Sequence, residues 1–115
     1  MKMIVAIIRP DKFEEVQAAL VAKDIYLMTV SDVRGCGTQK GYAEQFRGNK
    51  IGLVRLLPKV KLEIAVSSDI ADAVVEAVIR AANTGKIGDG KIFVLDLQQA
   101  IRIRTGEQDA SAISN

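Results

Sequence analysis

Apolar residues in this chain change their spacing twice in the same order, and that repeat restricts the fold more than any single motif. Met3, Ile4, Val5, Ala6, Ile7 and Ile8 form a β-branched run stopped by Arg9-Pro10, the pattern of a strand buried on both faces or against helices. Phe13, Val16, Ala19 and Leu20 then recur at helical spacing. Asp11 is placed to cap that helix and Glu14 to complete a capping box, which predicts a helix over residues 12–22. A second strand is expected over 25–33, with Ile25, Leu27, Thr29, Ser31 and Val33 on one side and Tyr26, Met28, Val30 and Asp32 on the other.

The cycle then restarts. Val60, Leu62, Ile64 and Val66 alternate with Lys61, Glu63, Ala65 and Ser67 at a period of two, and residues 91–97 read as a fourth strand. Between them Ile70, Val74, Ala77, Val78 and Ala81 make one stripe of a helix over 69–83, with Ser68 as its cap and Gly85 just past its end. Ile101 and Ile103 alternate with Arg102 and Arg104, which extends or crosses the last strand, and the tail from Glu107 reads as frayed.

Strand, helix, strand, strand, helix, strand is the split βαβ order of a ferredoxin-like α+β sheet with helices on one face. A chain of 115 residues has room for one such domain, residues 1–115. The other sheet face is then uncovered in a chain that is 49% apolar, and a symmetric homo-oligomer is the economical cover. From Gly35 to Leu57 neither period is sustained, and glycines at 35, 37, 41, 48 and 52 sit among Lys40, Arg47, Lys50 and Arg55. Loops beyond about 12–15 residues in compact domains are usually functional or mobile, so this length is informative.

Several function classes fall away. No run of about 18 apolar residues exists, so no membrane insertion is expected. The first apolar run has no small-residue cleavage site behind it, so no secretory signal is read and a cytoplasmic address is expected. Cys36 is the single cysteine and histidine is absent, which removes the commonest metal ligand and general base. A net charge of +2 and five aromatic residues argue against nucleic-acid binding.

The chemistry concentrates in Thr84-Gly85-Lys86-Ile87-Gly88-Asp89-Gly90-Lys91. Its three glycines leave backbone N–H groups unshielded, and Lys86 and Lys91 add positive charge, so an anion is the natural guest. The plain alternative is a helix C-cap at Gly85 and a tight turn into a strand. Arg102 and Arg104, two residues apart, would project to one side of a strand and fork around a polyphosphate, or serve as solvated edge charges. Gly35-Cys36-Gly37-Thr38-Gln39-Lys40-Gly41 reads as a hinge or as a second backbone nest. Asp89 between glycines is a candidate to orient a water or, more plainly, a turn-former. Cys36 is a candidate reactive thiol or a small strand-end residue.

These segments together resemble the PII signal-transduction proteins, trimeric sensors that regulate nitrogen metabolism and ammonium uptake. The resemblance covers nearly the whole chain and rests on Ile7-Ile8-Arg9-Pro10 with Lys12, Met28-Thr29-Val30, the 35–41 segment, Arg47-Gly48, Leu57-Pro58-Lys59-Val60-Lys61, residues 84–94, and Ile101-Arg102-Ile103-Arg104-Thr105-Gly106-Glu107. It implies a non-enzymatic homotrimeric regulator with adenine-nucleotide sites, for ATP or ADP, in the clefts between subunits. Residues 84–91 would grip phosphates, with Gly35, Gly37, Thr38, Gln39, Gly85, Lys86, Ile87, Gly88, Asp89, Gly90 and Lys91 in the nucleotide site. Arg102 and Arg104, in the C-terminal segment 102–115, would reach it from the neighbouring subunit, and Thr29, Glu63 and Ile64 would lie near the adenine. Gln39 would meet magnesium carried with ATP, and Gln39, Lys40, Gly41, Lys59 and Gly88 would hold 2-oxoglutarate. Residues 37–57 would be the target-binding loop, presenting Tyr42, Arg47, Lys50, Ile51 and Arg55 to an ammonium transporter or a nitrogen-metabolism enzyme.

The departures from the family pattern lie mostly in that loop. Phe46-Arg47-Gly48-Asn49-Lys50-Ile51 lacks the acceptor for tyrosine uridylylation or serine phosphorylation, and Lys50 and Arg55 make the tip more basic. Thr38 stands where an arginine usually faces the terminal phosphate, a loss on the order of 1.5–3 kcal/mol. Asp24 and Leu27 replace glycines near the second strand. A PII-like sensor of ADP or AMP serving another transporter or carbon metabolism is the alternative, and a slow hydrolase built on Asp89, Gln39 and Lys91 a more distant one.

Overall fold

Ile4, Ala6 and Ile8 alternate with Met3, Val5 and Ile7 along β1 (Lys2–Ile8), and only the first set is fully buried. The structure, a computed structural model, describes residues 1–38 and 54–114. β1 and β3 (Val54–Val66) form the centre of a four-stranded antiparallel sheet, flanked by β2 (Thr29–Thr38) and β4 (Gly90–Asp96) in the order β2-β3-β1-β4. Ile4 lies opposite both Ile64 and Val94, which fixes the register across three strands. The ferredoxin-like expectation is met.

Two helices, α1 (Phe13–Val21) and α2 (Ser68–Ala82), cover the same face. Val16 and Leu20 of α1 and Ala71, Val74, Val78 and Ala82 of α2 pack on Ile4, Ala6, Ile8, Val60, Leu62, Ile64 and Val66. Each large aliphatic side chain buried there contributes about 1.5–3 kcal/mol. Truncating the fully buried Leu62 to alanine would cost about 2–5 kcal/mol. The opposite face carries Met3, Val5 and Ile7 beside Leu95 and Phe93, which are 50% and 51% exposed, and among the described residues it has no covering helix layer.

Local chemistry departs from the sequence reading at several ends. Asp11 and Glu14 form no capping box, because Pro10–Lys12 is a 3₁₀ turn with proline in its first position, where no N–H is needed. Ser67, not Ser68, is the N-cap residue of α2, and the Ser68 hydroxyl accepts from the Met1 ammonium at 3.0 Å. β2 begins at Thr29 rather than Ile25. After α1 the chain reverses through Asp24, which has φ +61°, and the Ile25 N–H returns to the Leu20 carbonyl at 3.0 Å. Ile25 and Met28 pack against the core from this connection instead of joining a ladder.

β2 and β3 also run further than periodicity suggested. Gly35 pairs with Leu57, Cys36 with Leu56, Gly37 with Arg55 and Thr38 with Val54, so both ends of the expected excursion are a β-ribbon. At the C-terminus the expected strand over 100–105 is replaced by a turn. Ile101 bridges only to Gln108, Gly106 at φ +73° reverses the chain, and the expected frayed tail contains one helical turn, α3 (Ala110–Ile113).

Candidate functional site

The turn between α2 and β4 is organised around one carboxylate. Asp89 Oδ2 accepts the backbone N–H groups of Thr84 at 2.8 Å and Gly85 at 3.0 Å, while Oδ1 accepts the Thr84 hydroxyl and Arg9 Nε, the latter at 3.0 Å. The Thr84 hydroxyl and N–H, then the Arg9 guanidinium, hold the Asp89 carboxyl well below the usual carboxylate range. Both carboxylate oxygens are taken up by Thr84, Gly85 and Arg9, so Asp89 is the turn-former of the plainer reading. Gly85 is not a helix C-cap, since α2 ends at Asn83 in an extended conformation whose side-chain Oδ1 accepts the Gly85 N–H at 2.7 Å.

Gly90 is obligatory for a different reason. Its φ is +104°, and a Cβ there would sit 1.7 Å from the Ile7 carbonyl oxygen, inside the β1–β4 ladder. At Gly88, with φ +102°, a Cβ would press to 3.2 Å from Arg9 Nη2.

Two cations pin the turn's carbonyls. Arg9 Nη2 donates to the Ile87 carbonyl at 2.7 Å, and Lys59 Nζ donates to the Gly88 carbonyl at 2.6 Å. In a trans peptide the carbonyl and the following N–H point in opposite directions, so the Gly88 and Asp89 N–H groups are turned away from these braces. No described residue accepts a hydrogen bond from the Gly88 N–H, whereas the Asp89 N–H closes the 87–88 turn onto the Lys86 carbonyl. Lys86 and Lys91 have no carboxylate of a described residue within ion-pair distance. An unpaired amide beside unneutralised lysines is what an anion requires. The neighbouring cleft, of about 470 Å³, is bordered by Arg9, Gly35, Cys36, Lys59, Lys91 and Phe93. Cys36 is a free, exposed thiol on β2.

The structure brings residues 84–91, Lys59 and Gly35 together at the end of the sheet where β1 finishes. Arg9 completes the group, and the sequence reading had not assigned it to the site. The available signal was a cation placed between a buried strand and Pro10. Thr29 and Glu63 are paired with each other further along the sheet, six residues from Gly35 on β2, a separation of about 20 Å. They border a second groove with Met3, Tyr26, Leu27 and Ile113. Ile64 is fully buried in the core, so only its backbone can meet a ligand. β2 begins opposite Glu63, which leaves β3 beyond that point without a β2 partner.

Arg102 and Arg104 are not paired on a strand. Both lie at the 101–108 turn, where Arg102 Nη1 donates to Glu107 Oε1 at 3.2 Å and Nη2 to the Ser114 carbonyl at 2.8 Å. Arg104 is exposed and makes no hydrogen bond or ion pair with a described residue. Gln39, Lys40, Gly41, Tyr42, Arg47, Lys50 and Ile51 lie outside the described residues, and Arg55 is exposed on β3 opposite Gly37. The described residues contain no cluster of three acidic or cysteine groups able to hold a metal, and both Asp89 oxygens are engaged. Among the described residues no helix is long and apolar enough to cross a membrane.

Comparison with known proteins places this architecture. The family model described as Nitrogen regulatory protein P-II matches residues 1–107. Nitrogen regulatory protein P-II of Klebsiella oxytoca and P-II 1 of Escherichia coli K12 are each 55% identical over 113 residues, covering 98% of this chain and all of theirs. The Rhizobium etli P-II is 51% identical over the same span. The crystal structure of Arabidopsis thaliana PII bound to citrate matches with a TM-score of 0.76 and 40% identity, covering 96% of this chain and 90% of that one. The chain belongs to the nitrogen regulatory protein P-II family.

Proposed function

We propose that this protein is a non-enzymatic regulator that reads nitrogen and energy status by binding adenine nucleotides, ATP or ADP, with residues 84–91. The observation that carries the reading is the braced turn itself. Arg9 and Lys59 hold two successive carbonyls, leaving the Gly88 amide beside Lys86 and Lys91 for a polyphosphate. The separation of Thr29 and Glu63 from that turn within one chain supports a site completed by a second subunit, as in a homotrimer whose contact includes the open face of Phe93 and Leu95. In this reading Arg102 and Arg104 cross to the neighbour's phosphates. Gln39 meets magnesium bound to the nucleotide. Lys59, with Gln39, Lys40, Gly41 and Gly88, receives 2-oxoglutarate by exchanging its carbonyl partner for a carboxylate. Binding selects among conformations of residues 37–57, which engage an ammonium transporter or a nitrogen-metabolism enzyme. The fully engaged Asp89 supports regulation rather than hydrolysis.

Calorimetric titration with ATP, ADP and AMP, each with magnesium and with or without 2-oxoglutarate, tests this. The expected result is ATP or ADP binding, with 2-oxoglutarate heat only when ATP is present. Absence of heat with every adenine nucleotide would overturn the reading.

A further inference from the structure

Arg102 does not stand open for a ligand. Its guanidinium gives one edge to Glu107 Oε1 at 3.2 Å and the other to the Ser114 carbonyl at 2.8 Å, and its side chain is 27% exposed. The backbone around it is closed as well. The Arg102 N–H donates to the Glu107 carbonyl at 2.8 Å, and the Gly106 N–H donates back to the Arg102 carbonyl at 2.7 Å. Asp109, at φ +56°, ties the tail to Ala100, donating its N–H at 2.8 Å and accepting the Ala100 N–H on its carboxylate at 3.2 Å. Arg104, two residues on, has no partner among the described residues.

The two arginines of one turn are therefore in different states, one spent on its own chain and one available. Guanidinium is a planar fork whose recognition of carboxylate or phosphate is bidentate, so a phosphate seated on Arg102 competes for donors already in use. Glu107 adds like-charge repulsion against any anion that approaches without displacing it.

We infer that the C-terminal segment is a latch on Arg102: Glu107 and the Ser114 carbonyl hold the guanidinium against its own chain, and an anionic nucleotide must displace them to engage it. This rests on the reading of Arg102 as a phosphate ligand. Ser114 directly follows α3, so releasing Arg102 frees that helical turn. Ala112 and Ile113 border the groove that holds Thr29 and Glu63, so release also reshapes that groove. The nucleotide acts by preferring the open state, and the tail reports its presence at a second place on the surface.

The test compares wild type, Glu107→Gln, Arg102→Gln and the double variant as full chains, titrated with ATP and magnesium by calorimetry. Losing an exposed ion pair of ordinary strength, Glu107→Gln is expected to bind ATP about 1.4- to fivefold more tightly. The double variant should bind no more tightly than Arg102→Gln alone. A chain ending at Ile113, which removes the Ser114 carbonyl without touching the core, should shift affinity in the same direction. In wild type, saturating ATP should accelerate amide exchange at Gly106, Ala112 and Ile113. Equal or weaker ATP binding by Glu107→Gln, or unchanged exchange at saturation, overturns the latch while leaving nucleotide binding in place. If neither wild type nor Glu107→Gln binds ATP, the nucleotide reading fails and the latch fails with it. Binding by the variant alone supports the latch.

Discussion

Arg9 Nε donates to Asp89 Oδ1 across 3.0 Å, and that contact ties the end of β1 to the turn that leads into β4. The two residues are 80 positions apart in the chain, so the shape of the turn depends on the completed sheet. A flexible glycine loop would lose entropy on gripping an anion, and one already fixed from behind loses less.

Asp89→Asn is therefore expected to weaken ATP binding about tenfold while leaving the helices intact, read by calorimetry beside far-UV circular dichroism. The pH dependence follows from the same contacts. The carboxyl is held below its unfolded value of about 3.9, so its contribution is complete above that pH. It is lost as pH falls from there toward the lowered value. Wild-type stability should decline more steeply below about pH 4 than that of Asp89→Asn. Parallel acid profiles for the two proteins would show that Asp89 is not the anchor.

Gly90 and Gly85 separate two costs that look alike in the sequence. Both have positive φ, but a Cβ at Gly90 meets the Ile7 carbonyl at 1.7 Å, whereas one at Gly85 meets nothing within 4 Å. Gly85→Ala should cost about 1–2 kcal/mol, from backbone conformation alone. Gly90→Ala should cost about 3 kcal/mol or more, because β1 and β4 must part. Urea midpoints at unchanged slope decide it. Equal midpoints would mean that the ladder accommodates the methyl group.

The elements with strong periodicity were legible before any coordinates. β1, α2 and the core half of β3 fell where alternation or the helical stripe put them, because burial on one face selects those residues. β2 was misplaced at both ends for a physical reason. Ile25 is apolar because it packs on the core from a connection, and Gly35 and Gly37 pair through backbone groups that leave no side-chain signature. The glycine turn stood out in the sequence as a candidate because glycine and lysine types report backbone exposure and charge, and the structure brings Lys59, a candidate through the family resemblance, up against it. Arg9 did not stand out, because its importance comes from a partner far away in sequence. The Arg102 and Arg104 pairing failed because alternation over five residues cannot distinguish a strand from a turn reversed by Gly106.

Leu95 is 50% exposed on the open face, beside Met3 in the β1–β4 register, and aliphatic surface of that kind is a feature of interfaces between copies. Leu95→Glu should leave the single chain folded, since the core lies on the other face, and, on the homotrimer reading proposed above, should shift the mass by light scattering from trimer to monomer. A charge there that leaves the mass unchanged would place the subunit contact elsewhere.

Thr38 offers a gain-of-function test of the nucleotide reading. Its backbone is paired with Val54 in the β2–β3 ribbon, three residues beyond Gly35, which borders the cleft with Arg9 and Lys59. A charge-assisted hydrogen bond is worth about 1.5–3 kcal/mol, so an arginine reaching a terminal phosphate would improve ATP binding about ten- to a hundredfold. ADP has no γ-phosphate to meet that arginine, so the ratio of the two affinities isolates the contact from any change in stability. Thr38→Arg is expected to move that ratio toward ATP in paired calorimetric titrations with magnesium. An equal gain for both nucleotides would mean that the new charge acts through the general field of the cleft, and no gain for either would place the terminal phosphate out of reach of this end of β2.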